Sequence, residues 1–146
     1  MDVVSASPHS ARRRWMSVLA RAGAAEIAAL LDDVPAYQLL RGPEAGLAML
    51  RGRAGGSGEK FNLGEMTVTR CTVRTADGLV GHAYVAGRDG RQAELAALVD
   101  AMLQDPARHD ALEHAVIAPL EQAQAERRAV VARKAAATRE IGRAHV

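Results

Sequence analysis

The first thirty residues carry apolar side chains at helical spacing. Intervals of three and four residues separate them, which places them on one face of a helix. The residues with this spacing are Trp15, Val18, Leu19, Ala22, Ile27 and Leu30. Pro8 follows Ser7, an order that is typical of a first helical turn. Because Gly23 interrupts the pattern, it predicts either one helix with a weak point or two short helices.

The middle of the chain alternates with a period close to two, as strands do. The stretch "YQLLRGPEAGLAML" predicts a strand, a turn at Gly42 and Pro43, and a second strand from about residue 46 to 53, although "LAMLRGRA" also fits a helix. The Thr- and Val-rich run "EMTVTRCTVRT" is followed by "ADG" and then "LVGHAYVAG". This order predicts a hairpin and brings the antiparallel sheet to about four strands.

Helical spacing returns after residue 87. Asp89 precedes Gln92 by three residues, which resembles a capping box at a helix start. Asp105 and Pro106 repeat a start signal for a short helix, and Pro119 is expected to interrupt the helical pattern near the C-terminus. The last segment is rich in Ala, Gln and Arg but poor in large apolar residues, so its helix needs a partner surface. The fold class is therefore α+β, with an N-terminal helix, the sheet and C-terminal helices.

Composition indicates a single globular domain. The chain has 146 residues, of which 49% are hydrophobic and 25% charged, and its apolar runs are too short to cross a membrane. The N-terminus lacks the basic-then-apolar order of a secretory signal, so we expect a cytoplasmic protein. Cys71 is the single cysteine, which excludes an internal disulfide, and we expect it to be buried in a strand.

The charge distribution and the spacing of possible metal-binding residues limit which functions the chain can have. The formal net charge is only +2, but arginines cluster at 12–14 and again in the C-terminal segment, where either cluster could face phosphate or an acidic partner. With 3% aromatic residues and no finger spacing, we expect no sequence-specific nucleic-acid binding. No two of the five histidines are spaced i, i+4, so we expect no metal site, and no residue pattern marks a catalytic group.

The stretch "RAGGSGEKF" at 53–61 could be a phosphate loop or a chain reversal. A P-loop reads G-x-x-x-x-G-K-[ST], but Glu59 stands where glycine is needed and Phe61 where a magnesium-binding hydroxyl is needed. The spacing of the glycines also fails the dinucleotide fingerprint G-x-G-x-x-G. From the residues alone, a plain glycine-rich turn is the favoured interpretation, with phosphate contact as the alternative. The candidate residues are Arg51, Arg53, Gly55, Gly56, Gly58, Glu59, Lys60 and Phe61.

Four segments resemble one known family in order and spacing. They are "RRRWMSVLARA" (12–22), "GLAMLRGRAGGSGEKFNLGEMTVTRCTVRTADGLVGHAYVAGRD" (46–89), "AELAALVDAML" (93–103) and "VIAPLEQ" (116–122). The most specific parts are W-M-x-V-L-A, G-G-x-G-E-x-F and I-A-P-L. Together they resemble the PhnG family, the G subunits of the bacterial carbon–phosphorus lyase core complex. The resemblance covers the chain from Arg12 to Arg139.

The resemblance implies an accessory subunit in phosphonate breakdown. In that system the I subunit transfers the ribose triphosphate moiety of ATP to a phosphonate and releases adenine, and the J subunit later cleaves the carbon–phosphorus bond. The implied partners are subunits I, H and J, with L acting alongside them, and the implied core holds two copies of each subunit. MgATP is a substrate of the assembled system, and we expect this chain to bind no cofactor. The family supplies no catalytic residue to carry over. Because "GGSGEKF" matches the family signature, the resemblance favours a loop that packs against another subunit over one that contacts phosphate.

Two expectations complete the sequence picture. We expect residues 1–139 to form a single PhnG-like domain. The residues "EIGRAHV" at 140–146 depart from the family, and their back-translation resembles a sequencing adapter, so we expect a non-native tail. The alternative functions are a free-standing basic adaptor that binds nucleic acid or phosphorylated ligands, and an independent enzyme.

Overall fold

The computed structural model describes residues 7–53, 58 and 60–144. Within them the chain forms five α-helices and three β-strands, with a π-helical turn at Glu113–Ile117. The elements are α1 (Pro8–Ala20), α2 (Ala24–Leu30), β1 (Tyr37–Arg53), β2 (Lys60–Thr75), β3 (Val80–Ala86), α3 (Gly90–Leu103), α4 (His109–Leu112) and α5 (Ala118–Ala144). The predicted α+β class is confirmed.

The N-terminal region forms two helices, which settles the alternative left open by the sequence. Ser7 caps α1, since its side chain accepts a hydrogen bond from the Ser10 backbone N–H. Gly23 is the N-cap of α2, and its own N–H donates to the Glu26 carboxylate at 3.0 Å. The break therefore falls at the glycine, as the sequence indicated.

The described sheet has three antiparallel strands in the order β1-β2-β3, so the expected number of about four is too high. The predicted turn at Gly42 and Pro43 is wrong, because residues on both sides of it pair with β2: Tyr37 lies opposite Thr75 and Ala45 opposite Thr69. The register shifts between them, so the two residues form a bulge within one long strand. Gly42 has φ +68°, and Pro43 is tolerated because β1 is an edge strand.

Helix α3 packs across one face of the sheet and supplies more of the core than any other element. Ten of its residues are buried, and its start is fixed by Asp89, whose side chain accepts from the Gln92 backbone N–H as predicted. The approach to β3 is close: a Cβ on Gly81 would lie 1.9 Å from the Ala97 carbonyl oxygen. Helices α1 and α2 and the π-helical turn complete the core on this side.

The C-terminal helices run on without a break through Pro119, so the expected interruption there is wrong. A proline inside an α-helix clashes with the carbonyl four residues before it. The π-helical turn ends at Ile117, just before the proline, and its wider hydrogen-bond ring relieves that contact. No helix among the described residues is long and apolar enough to cross a membrane.

Candidate subunit interface

A two-stranded arm extends beyond the rest of the sheet. β3 pairs with β2 only from Val68 to Arg74, whereas β1 and β2 continue to pair from Leu47 opposite Thr67 to Arg53 opposite Lys60. We call residues 47–53 and 60–67 the distal arm. At about 3.3 Å per residue it is roughly 23 Å long.

The distal arm exposes large apolar side chains. Leu47 is 69% exposed, Leu63 63%, Met49 50% and Leu50 44%. None of the described arm side chains belongs to the hydrophobic core. A two-stranded ribbon has marginal stability in water by itself, and contiguous exposed apolar surface marks interaction sites. The distal arm therefore has the features of a docking element.

Apolar residues lie on both faces of the distal arm. Side chains alternate along a strand, so Leu47 and Met49 share one face and Leu50 lies on the other. Gly52 lies on the Leu50 face, because it is two residues further along β1. Leu63 lies on the same face, because its Cδ1 would be 3.0 Å from a Cβ added to Gly52. A partner that covers only one face would leave the other apolar face in water.

The glycine-rich stretch singled out in the sequence connects β1 to β2 along the chain. β1 and β2, which flank it in the sequence, are antiparallel. Whether the stretch contacts another chain or phosphate stays a prediction. Arg51 lies on the arm with an exposed side chain, Gly58 lies at a bend, and Gly52 pairs with Phe61. Arg53 and Lys60 form the last described pair of the ladder. Gly55, Gly56 and Glu59 lie outside the described residues.

Sequence patterns did not reveal the four arm residues Leu47, Met49, Leu50 and Leu63. For Leu47, Met49 and Leu50, the signal that could have found them is the run "GLAML", in which neighbouring residues on opposite faces of a strand are all apolar. Such a run is typical of a strand buried on both sides. In this chain residues 47–50 of the run lie beyond the end of β3, where no helix of the described chain covers the sheet.

The N-terminal arginine cluster is largely occupied within the chain. Arg12 donates from Nε to Asp100 Oδ1 at 3.1 Å and from Nη2 to Oδ2 at 2.8 Å. The hydrogen bond to Asp100 raises the pKa of Arg12 above its ordinary value. Arg14 bonds to Glu113 and, at 3.1 Å, to Glu121. Two of the three arginines therefore support the fold, which weakens the alternative of a basic adaptor.

Asp100 is the centre of a buried polar cluster. Besides the two bonds from Arg12, its carboxylate accepts from Trp15 Nε1 and from the His82 backbone N–H, both at 2.8 Å. Its side chain is fully buried. Because the donors come from α1 and β3 while Asp100 lies on α3, the cluster joins three elements. Its oxygens are occupied, and the cluster has the features of a structural tie.

The remaining sequence candidates have ordinary environments. Cys71 is buried in β2, as predicted, and burial raises the pKa of its thiol to about 11. His82 is exposed on the outer face of the sheet, where its Nδ1 lies 3.2 Å from Thr72 Oγ1. Among the described residues, no three His, Cys, Asp or Glu side chains cluster as metal ligands.

An α+β protein with a protruding apolar arm belongs to the class of chains that work in contact with another protein. The model of the family "Phosphonate metabolism protein PhnG" matches residues 10–140, and the chain belongs to this family. A relative from Rhizobium meliloti (strain 1021), the alpha-D-ribose 1-methylphosphonate 5-triphosphate synthase subunit PhnG, is 47% identical over 105 residues. The alignment covers 70% of this chain and 67% of the relative. The resemblance seen in the sequence is confirmed.

Proposed function

We propose that this chain is an accessory subunit of an α-D-ribose 1-methylphosphonate 5-triphosphate synthase. The proposed reaction transfers the ribose triphosphate moiety of ATP to an alkylphosphonate and releases adenine. In this proposal the chain supplies no reacting group. It completes a catalytic partner by binding to it, and MgATP is bound by the assembled system.

The distal arm is the observation that carries this proposal. Leu47 and Leu63 are each more than 60% exposed, on opposite faces of a ribbon that no third strand or helix of the described chain supports. Covering a large apolar side chain contributes up to about 1.5–3 kcal/mol, so four such residues provide a strong driving force for association. In the isolated chain this apolar surface stays in contact with water.

The geometry of the distal arm also suggests how it docks. Because both faces are apolar, a flat partner surface would cover only Leu47 and Met49 or only Leu50 and Leu63. A cleft that receives the ribbon covers all four. We therefore propose that the arm inserts between two elements of the partner, with Arg51 near its end.

The proposed partners are the I, H and J subunits of the carbon–phosphorus lyase core, with L acting alongside them. The I subunit is the proposed catalytic neighbour. Two copies of each core subunit and a cytoplasmic location complete the proposal. The proposal of these partners rests on the family resemblance, and the distal arm is the surface on this chain that would fit such an assembly.

Reconstitution tests the proposed function. Matched H, I and L subunits are mixed with MgATP and methylphosphonate, with and without this chain, and the ribose triphosphate product and adenine are measured. We expect product only when the chain is present, and neither adenine release nor phosphonate consumption by the chain alone. Equal product formation without it would refute the assignment, and turnover by the isolated chain would favour the independent enzyme.

A further inference from the structure

Helix α5 leaves the body of the protein part way along its length. Its first turns are anchored, because Leu120 is buried and Gln124 Nε2 donates to the Val18 carbonyl at 2.9 Å. The last contact is the ion pair of Arg127 with Glu26 at 3.2 Å. All described side chains beyond it are exposed. At 1.5 Å per residue this exposed part is roughly 20 Å long.

The anchored face of α5 continues along the exposed part. Residues spaced by three, four and seven share a face, so Arg128, Val131 and Lys134 follow the buried Leu120 and Gln124. Val131 is 66% exposed. Ala135 and Thr138 extend the same face and are small. The result is a shallow apolar stripe centred on Val131, with Arg127 and Arg128 before it and Lys134 after it. Arg127 is already paired with Glu26, so Arg128 and Lys134 are the cations left to face a partner.

A second copy of this chain does not fit this face. In an antiparallel pairing centred on Val131, Arg128 of one copy lies opposite Lys134 of the other, because both are three residues from the centre. In a parallel pairing each cation lies opposite the same residue of the other copy. Like charges at such distances repel in either case, so pairing of two copies through the Val131 position is disfavoured.

We propose that the exposed part of α5 binds an apolar groove on a different protein chain, and that carboxylates of that chain line the groove on both sides of the Val131 position. Since Arg128 and Lys134 are six residues apart, the acidic groups lie about 9 Å apart along the groove. The proposal rests on the proposed function, because it takes a neighbouring subunit as the partner. It adds a second contact surface, separate from the distal arm, and the chemistry that this surface recognises.

A nucleic acid would make different use of the same helix. Phosphates attract every exposed cation, whereas a groove engages only the cations beside Val131. Arg133 lies on the opposite side of α5, two positions from Val131. Like Arg128, it is an exposed cation. Arg133→Glu is therefore a matched control for Arg128→Glu within one helix.

The experiment measures binding of the full chain to the co-purified H, I and J subunits at low and moderate salt. We expect Arg128→Glu to weaken binding roughly tenfold, Val131→Asp to weaken it at least as much, and Arg133→Glu to change it by less than about twofold. Circular dichroism should give unchanged melting, because the three side chains are exposed.

The outcomes separate the inference from the proposed function. If the wild-type chain does not bind these subunits, both fail. If the wild type binds and Arg128→Glu binds equally well, only the α5 inference fails. Equal losses in Arg128→Glu and Arg133→Glu would show non-specific electrostatic attraction and not binding in a groove. Concentration-dependent dimers of the wild type that Val131→Asp abolishes would show self-association instead.

Discussion

At the scale of single residues, Asp100 links the sequence to the fold. It stands inside the apolar run "LVDAML", where a lone carboxylate would carry a large desolvation cost. Four hydrogen bonds from Arg12, Trp15 and His82 compensate that cost. Its donors could not be predicted from the sequence, because they lie 18 to 88 positions away along the chain.

Replacing Asp100 should therefore be costly. We expect Asp100→Asn to lower the free energy of unfolding by roughly 3 kcal/mol, because an amide N–H₂ would face donors and Arg12 would lose its charge partner. Urea denaturation measures the loss. The control is Asp110→Asn on the exposed side of α4, which should change stability by less than about 0.5 kcal/mol. A similar small loss for both variants would show that Asp100 is not a structural tie.

The thiol of Cys71 should respond to high pH. Its pKa is raised to about 11 by burial, so the folded protein keeps the proton while the unfolded chain loses it above the ordinary thiol value. Stability from this group is therefore complete at neutral pH and is lost as pH rises from about 8.5 towards 11. At pH 9 we expect a thiol reagent to modify Cys71 rapidly in urea and slowly in the native protein. Equal rates would contradict its burial.

At the scale of elements, local signals predicted well and long-range ones did not. Ser7, Gly23 and Asp89 marked the starts of α1, α2 and α3, because caps act on backbone groups a few residues away. The sequence at Gly42 and Pro43 predicts a turn, whereas the structure has a bulge there. A turn and an edge-strand bulge use the same residues, and only the pairing of β1 with β2 distinguishes them.

The contact between β3 and α3 depends on the absence of a side chain at Gly81. An added methyl group would clash with the Ala97 carbonyl and the Ala101 backbone nitrogen, so we expect Gly81→Ala to destabilise the fold by at least about 2 kcal/mol. Gly46→Ala is the control in the same sheet, since its nearest neighbour would be Arg70 Nη2 at 4.0 Å, and no loss is expected there. Thermal melting of the two variants compares them, and equal melting temperatures would contradict the close packing.

At the scale of the whole molecule, the contact residues that the sequence proposes stay a prediction. The sequence indicates a contact turn at residues 53–61 with Arg51 beside it, and Arg51 lies on the distal arm. The apolar residues that make the arm a docking element escaped prediction, because their exposure depends on where β3 ends. The single domain at 1–139 and the non-native tail at 140–146 stay predictions.

The most direct test of the account removes the apolar character of one arm face. Leu47→Thr combined with Met49→Thr keeps strand-forming residues, and the isolated variant should melt like the wild type because both side chains are at least half exposed. Val34→Thr, which alters an exposed apolar residue outside the arm, is the control. Co-purification with the tagged I subunit is measured together with product formation.

We predict that the control behaves like the wild type, whereas the arm variant loses co-purification and its product formation falls roughly tenfold or more. An arm variant that co-purifies and supports product formation as well as the wild type would contradict the claim that this chain acts through its distal arm.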